Sequence, residues 1–172
     1  MTKAAVVALA AAAVVVALVL AFALGRGGSS RSAAPHGDPV VFLEGVIGQI
    51  VRNDYQHAYG TLHPAQQRTV SKKDYVRCEL QTPIIGKLDS ITVVRAFDDR
   101  VLVPGGATHP VPSKVVTFRL RLKQPVLGTI TFSHTVHAVA VDGKWRWILT
   151  PHRYSLYRVG GCSGAPSPSA PA

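Results

Sequence analysis

The sequence predicts an α+β domain, helices first and then an antiparallel sheet, carried behind an apolar N-terminal segment. Three observations predict it. Apolar residues recur at helical spacing between Asp38 and Leu80, the period switches to two from Lys87, and Ala4 to Leu24 runs for 21 residues without a charge or hydrogen-bonding side chain. The first two separate helices from strands, because side chains return to one face every 3.6 residues or so in a helix and every second residue in a strand. Helices grouped ahead of strands favour a helical layer on one sheet face over alternating βα units.

At about 1.5 Å per residue, Ala4 to Leu24 makes a helix of roughly 32 Å, enough to cross a bilayer's hydrocarbon core. Two readings fit it. Its length favours an uncleaved signal anchor, whereas Ala21-Phe22-Ala23 supplies the small-x-small site of a cleaved signal peptide. No cysteine follows the leader, which argues against a lipid-modified N-terminus. Lys3 on one flank and Arg26 and Arg31 on the other leave the charge rule for orientation close to a tie. Residues 1–24 are thus the membrane or signal segment and 25–37 a small, polar tether. Residues 38–162 form the folded domain, and 163–172 are a Pro/Ala/Ser tail too poor in apolar residues to bury a core.

Within the domain, Asp38-Pro39 opens a helix, an N-cap acid followed by proline at the first helical position. Phe42, Leu43, Val46, Ile47, Ile50 and Val51 line its apolar face. A second, short helix opens near Asp54 with Tyr55, Ala58, Tyr59 and Leu62, and His63-Pro64 breaks the path. Ser71, with Asp74 three residues on, starts a third helix that runs past Cys78 to Thr82-Pro83.

Alternation then marks strands: Ile91, Val93 and Phe97; Val116, Phe118, Leu120 and Leu122; Ile130, Phe132, His134 and Val136. Asp142-Gly143 is the strongest hairpin signal, joining the last of these to Trp145-Arg146-Trp147-Ile148-Leu149. Pro104 to Pro112 reads as a loop, and Asp98-Asp99, followed by Arg100, as turn residues.

A helix, a Tyr-x-x-Ala-Tyr stripe (Tyr55 to Tyr59), a third capped helix and strands ending in Asp-Gly-Lys-Trp-Arg-Trp (Asp142 to Trp147) resemble the nuclear-transport-factor-2-like superfamily over about Asp38 to Tyr157. The resemblance implies a cone: a strongly bent sheet folded around helices and enclosing a pocket. It is nearly silent on function, since that fold hosts isomerases, dehydratases, hydrolases, transport factors and assembly domains. Its enzymes place an Asp, His or Tyr on the pocket-facing side of the sheet. The corresponding pocket face here offers Phe118, Phe132, His134, Trp145 and Trp147.

Cys78 and Cys162 are the only cysteines. In a translocated domain an even count suggests a disulfide, the alternative being two unpaired thiols. The pair and the tail favour placing the domain outside the cytoplasm of a bacterial cell, on a single-pass anchor or secreted if the leader is cleaved. Formal net charge is +10. Between Asp38 and Cys162, 16 Lys/Arg face 9 Asp/Glu. In the cytosol that balance would raise nucleic acid as a partner. Outside the membrane the counterparts are instead anionic lipid head groups, envelope polymers or an acidic protein.

Candidate chemistry is sparse. His134 is the one titratable group on the apolar faces, a general acid or base if functional, with Tyr55 or Tyr59 as helpers; as a core-edge histidine it would instead hydrogen-bond a helix or one of those tyrosines. His134 and His137, three residues apart on a strand, point to opposite faces and cannot share an ion, so no metal site and no cofactor is expected. His63 and His109, beside prolines, are expected to face solvent. Arg119, Arg121 and Lys123 share one sheet face, and Lys144 and Arg146 share the face opposite the tryptophans. If those strands are neighbours, five cations lie on one surface suited to an anionic partner. The expected role is a membrane-tethered extracytoplasmic binding or assembly domain without catalytic activity. The alternative is a small-molecule enzyme using the pocket histidine.

Overall fold

A computed structural model describes residues 34–162. The apolar leader and the Pro/Ala/Ser tail lie outside the described residues, and no helix within them is long and apolar enough to cross a membrane. The order is α1 (Pro39–Val51), α2 (Tyr55–Gly60), α3 (Pro64–Thr69), α4 (Lys72–Glu79), β1 (Lys87–Val101), β2 (Val111–Gln124), β3 (Gly128–Val141), β4 (Lys144–Trp147) and α5 (Pro151–Arg158). The architecture is α+β, with the strands forming one curled antiparallel meander, β1-β2-β3-β4.

Among the described residues every helix starts on a side-chain cap. The Asp38 carboxylate accepts from the Val40 amide at 2.7 Å, Asp54 caps α2, and Ser71 accepts from Asp74 N–H at 3.1 Å while its hydroxyl donates to the Asp74 carboxylate at 2.6 Å. Each such cap satisfies an amide that the helix itself leaves unpaired. Two helices depart from the sequence expectation. His63-Pro64 does not break the chain but opens α3, His63 Nδ1 accepting from Ala65 N–H at 3.1 Å, so that His63 is half-buried instead of facing solvent. Thr150-Pro151 likewise opens α5, which the periodicity did not reveal. Proline suits the first helical position because its missing N–H would have had no helical partner there.

The sheet confirms the hairpin at Asp142-Gly143, whose φ values of 49° and 71° are the left-handed pair that a tight hairpin turn requires. It corrects two other expectations. Asp98 and Asp99 lie in β1, not in a turn, with Asp98 opposite Lys114 and paired to its ammonium at 2.7 Å. Bulges after Leu88 and Val93 break the alternation of β1. The second moves Phe97 off the face of Ile91 and Val93, and there Arg95 stacks 4.2 Å above its ring.

The main core lies between the helices and one face of the sheet. Leu43, Val46, Ile47 and Val51 of α1 meet Val116, Phe118, Leu120 and Leu122 of β2 and Val136 and Ala138 of β3. Each fully buried aliphatic or aromatic side chain contributes about 1.5–3 kcal/mol. Tyr75 of α4 sits at the centre of an aromatic group, its ring 5.6 Å from Tyr59, 6.2 Å from Trp147 and 6.0 Å from Tyr157. The fully buried Gln66 side chain accepts from Leu149 N–H at 2.8 Å and so pins α3 to the segment leading into α5. On the opposite face, Val103, Val139 and Ile148 form a smaller core beneath the loop after β1. Cys78 and Cys162 form a disulfide that ties the end of α4 to the chain beyond α5.

Candidate functional site

His134 stands directly opposite Phe118 in the ladder, which places it on the helix-covered face as the alternation requires. It borders a cavity of about 150 Å³ between β3, the chain leaving β4 and the start of α5. Trp147, Leu149, Thr150 and Arg153 are among the other walls. His134 keeps solvent access at its edge, while the cavity wall desolvates part of the ring. That desolvation, and then the nearby Arg153 charge, hold its pKa below the ordinary imidazole value. The ring is therefore neutral at physiological pH, a competent base.

The rest of an acid–base apparatus is not beside it. No carboxylate lines this cavity. Tyr55 donates to Asn53 Oδ1 at 2.6 Å and Tyr59 to the Val70 carbonyl at 2.8 Å, and neither lines the cavity, so the structure does not bring them to His134. Arg153 is committed to the buried Glu79 at 3.0 Å, and the same carboxylate oxygen accepts from Tyr157 OH at 2.8 Å. The cavity is about half the lower end of the roughly 300–1,000 Å³ usual for small-molecule sites. Of the pocket residues expected from sequence, His134 and Trp147 meet there. Phe118 is sealed in the core, Phe132 lies exposed further along β3, and Trp145 borders a separate depression with its indole N–H bonded to the Gly37 carbonyl at 2.9 Å. Among the described residues no three His, Cys, Asp or Glu side chains cluster as metal ligands would.

The cations divide into two groups. Arg119, Arg121 and Lys123 do share the outer face of β2, and Lys87 of β1 joins them directly opposite Lys123. Asp89 is the carboxylate among them, 2.8 Å from Lys123 and 3.6 Å from Arg121, and the Lys123 hydrogen bond leads in drawing its pKa below the usual carboxylate value. Lys144 and Arg146 are elsewhere, because β3 intervenes between β2 and β4. Arg146 pairs with Val139 and Arg119 with Ser133 along β3, a separation of about 20 Å at 3.3 Å per residue. The Arg146 guanidinium also donates to the Gly60 carbonyl at 3.0 Å, closing the end of α2. The five-cation surface is thus a compact basic group on β1 and β2, and a separate edge at β4.

Lys87, Glu79 and Arg153 were not singled out from sequence. Lys87 required the β1–β2 register, and the Glu79–Arg153 pair required α5, for which Thr150-Pro151 was the available signal. No protein-family model matches the chain, and no curated protein matches it.

The histidines give the fold a pH dependence. Burial lowers the pKa of His63, His134 and His137 relative to the unfolded chain. Depressed folded values mean that stability is fully present above the unfolded imidazole pKa of about 6.5 and is lost as pH falls below it, because the unfolded chain takes up protons first. Asp54, Asp74 and Asp89, also lowered, add to the loss only below about pH 4. The urea midpoint should fall between about pH 7.5 and pH 5. A flat profile over that interval would contradict the partly desolvated, neutral state of these rings.

Proposed function

We propose that this chain is an N-terminally anchored, extracytoplasmic binding domain of the nuclear-transport-factor-2-like type, and that it engages an anionic component of the cell envelope through the outer face of β1 and β2. The observation that carries this reading is the grouping of Lys87, Arg119, Arg121 and Lys123 around the lone carboxylate Asp89. Such a surplus of cations on one sheet face raises the local concentration of anions and steers their approach. The apolar leader and the Cys78–Cys162 disulfide support a site of action in an oxidising compartment outside the cytoplasm. A binding role is favoured over catalysis because the cavity at His134 is small and offers the imidazole no carboxylate to orient it.

Reversal of Arg119, Arg121 and Lys123 to glutamate should lower the salt needed to elute the full chain from an immobilised polyphosphate polymer. A control reversing Arg68, Lys72 and Arg158, which makes the same change in net charge elsewhere, should elute at higher salt than the first variant. Equal losses in the two variants would reject a specific basic face.

A further inference from the structure

The turn between β2 and β3 carries apolar residues where a loop is ordinarily polar. Val126 is 91% exposed and Leu127 70%, at the tip bounded by Gln124 and Gly128. Ile85, 64% exposed, is held beside them, since Gln124 Nε2 donates to its carbonyl at 2.9 Å. One exposed aliphatic residue needs no explanation, but three at a single projecting vertex do. Directly behind the vertex stand Lys87 and Lys123, opposite each other in the ladder, an arrangement that repels unless an anion intervenes. Asp89 supplies one carboxylate, and Arg121 and Arg119 continue the positive charge along the same face.

We infer that this vertex docks on a bilayer surface containing anionic lipids, with Val126, Leu127 and Ile85 entering the interface and Lys87, Arg121 and Lys123 meeting the phosphates. The inference rests on the binding role proposed for the basic face, and adds to it the apolar tip and the occupant. A hydrophilic polymer would give the three aliphatic side chains nothing to enter. A bilayer interface accepts both halves of the pattern, apolar groups at the acyl boundary and cations at the level of the head groups. The cations lie within about 20 Å of the tip along the strand, at 3.3 Å per residue. Chain length permits the contact. His36 N–H donates to the Gly143 carbonyl at 3.1 Å, so the chain enters the domain at the end of β3 remote from the tip. The 14 residues of β3 extend about 45 Å, and the 11 residues from Gly25 to Pro35, ahead of the pinned His36, span up to about 40 Å, so a modest tilt of the sheet brings the tip to the surface.

The test uses the full chain in proteoliposomes, with Leu127→Trp as a depth probe and brominated acyl chains as quencher. In phosphatidylcholine doped with phosphatidylglycerol, the emission that Leu127→Trp adds to that of the native Trp145 and Trp147, read as the difference from the unsubstituted chain, should shift to the blue and be quenched. In phosphatidylcholine alone it should stay close to its value in water. Arg121→Gln with Lys123→Gln should weaken tip partitioning about fivefold per cation removed. An indole unquenched in both lipids, or quenched equally in both and indifferent to the two glutamine substitutions, would overturn the inference. Amide exchange at residues 125–128 of the unsubstituted chain gives the same answer without a variant: slowing confined to anionic bilayers supports it, and no slowing overturns it. If the tip stays in water while Arg119→Glu/Arg121→Glu/Lys123→Glu still elutes from polyphosphate at lower salt than the control variant, the tip inference fails and the basic-face reading stands. If retention is also unaffected, both fail.

Discussion

Removing the Cys78–Cys162 disulfide is expected to destabilise the domain by about 4.5 kcal/mol, the largest effect of any single cross-link or side chain considered. The two cysteines are separated by 84 residues, and on the chain-entropy model closing a loop of that length removes roughly this much freedom from the unfolded chain. The bond also fixes α4 to the segment that follows α5, where Arg77 Nη2 donates to the Gly160 carbonyl at 3.0 Å, while Glu79 holds α5 itself through Arg153 and Tyr157. Alanine is the better probe at both positions, because Cys78 is only 1% exposed and serine would bury a hydroxyl there. The Cys78→Ala/Cys162→Ala variant, or the reduced wild type, should unfold at a urea concentration lower by about 2 M if the urea slope is about 2 kcal/mol per molar. Coincident unfolding curves for oxidised and reduced protein would show that no cross-link contributes.

The second large effect belongs to Glu79→Gln, with an expected loss of about 3 kcal/mol. Glu79 is 3% exposed, and one of its oxygens accepts from both Tyr157 OH and Arg153 Nη1. Burial and then the Glu79 charge push the Tyr75 and Tyr157 hydroxyls well above the ordinary phenol value, so that Tyr157 remains a donor. Glutamine preserves the shape but leaves Arg153 without its counter-charge and turns an amide N–H₂ toward one of the donors. The Arg153 side chain is 41% exposed, so water compensates part of the loss, which places the expectation at the low end for a broken buried pair. Replacing both Glu79 and Arg153 by methionine should recover part of the stability, because no charge is then left unpaired. Chemical denaturation of Glu79→Met, Arg153→Met and the double variant measures this directly. A double variant as unstable as the sum of the singles would argue that the pair is not coupled.

Much of the fold was legible because its signals are local. Asp38-Pro39, Asp54 and Ser71 announce three helices through cap chemistry, and Asp142-Gly143 fixes a hairpin because its two residues tolerate the left-handed conformation that a tight turn demands. The misses at α3 and α5 are of one kind. His63-Pro64 and Thr150-Pro151 carry the same cap-then-proline arrangement as Asp38-Pro39, but neither is followed by an apolar stripe long enough to declare a helix. Tertiary packing and a cap are what hold these short segments helical.

Asp98 and Asp99 were misread for a related reason. Carboxylates favour turns in isolation, yet in β1 the Lys114 ammonium opposite Asp98 compensates for a poor strand former. The candidate site divides along the same line. The period-two row Arg119, Arg121, Lys123 could be read from one strand alone. That β3 separates it from Lys144 and Arg146, and that Lys87 belongs to it instead, depends on strand order and register, which no single strand encodes.

The claim beneath the rest is that the domain works outside the cytoplasm with its disulfide closed. It is tested most directly by maleimide labelling and protease treatment of spheroplasts that express the full chain. Cys78 and Cys162 should resist alkylation until a reductant is added, and external protease should release the domain. Two freely alkylated thiols in the unreduced protein, together with a domain shielded from protease until the membrane is broken, would contradict it.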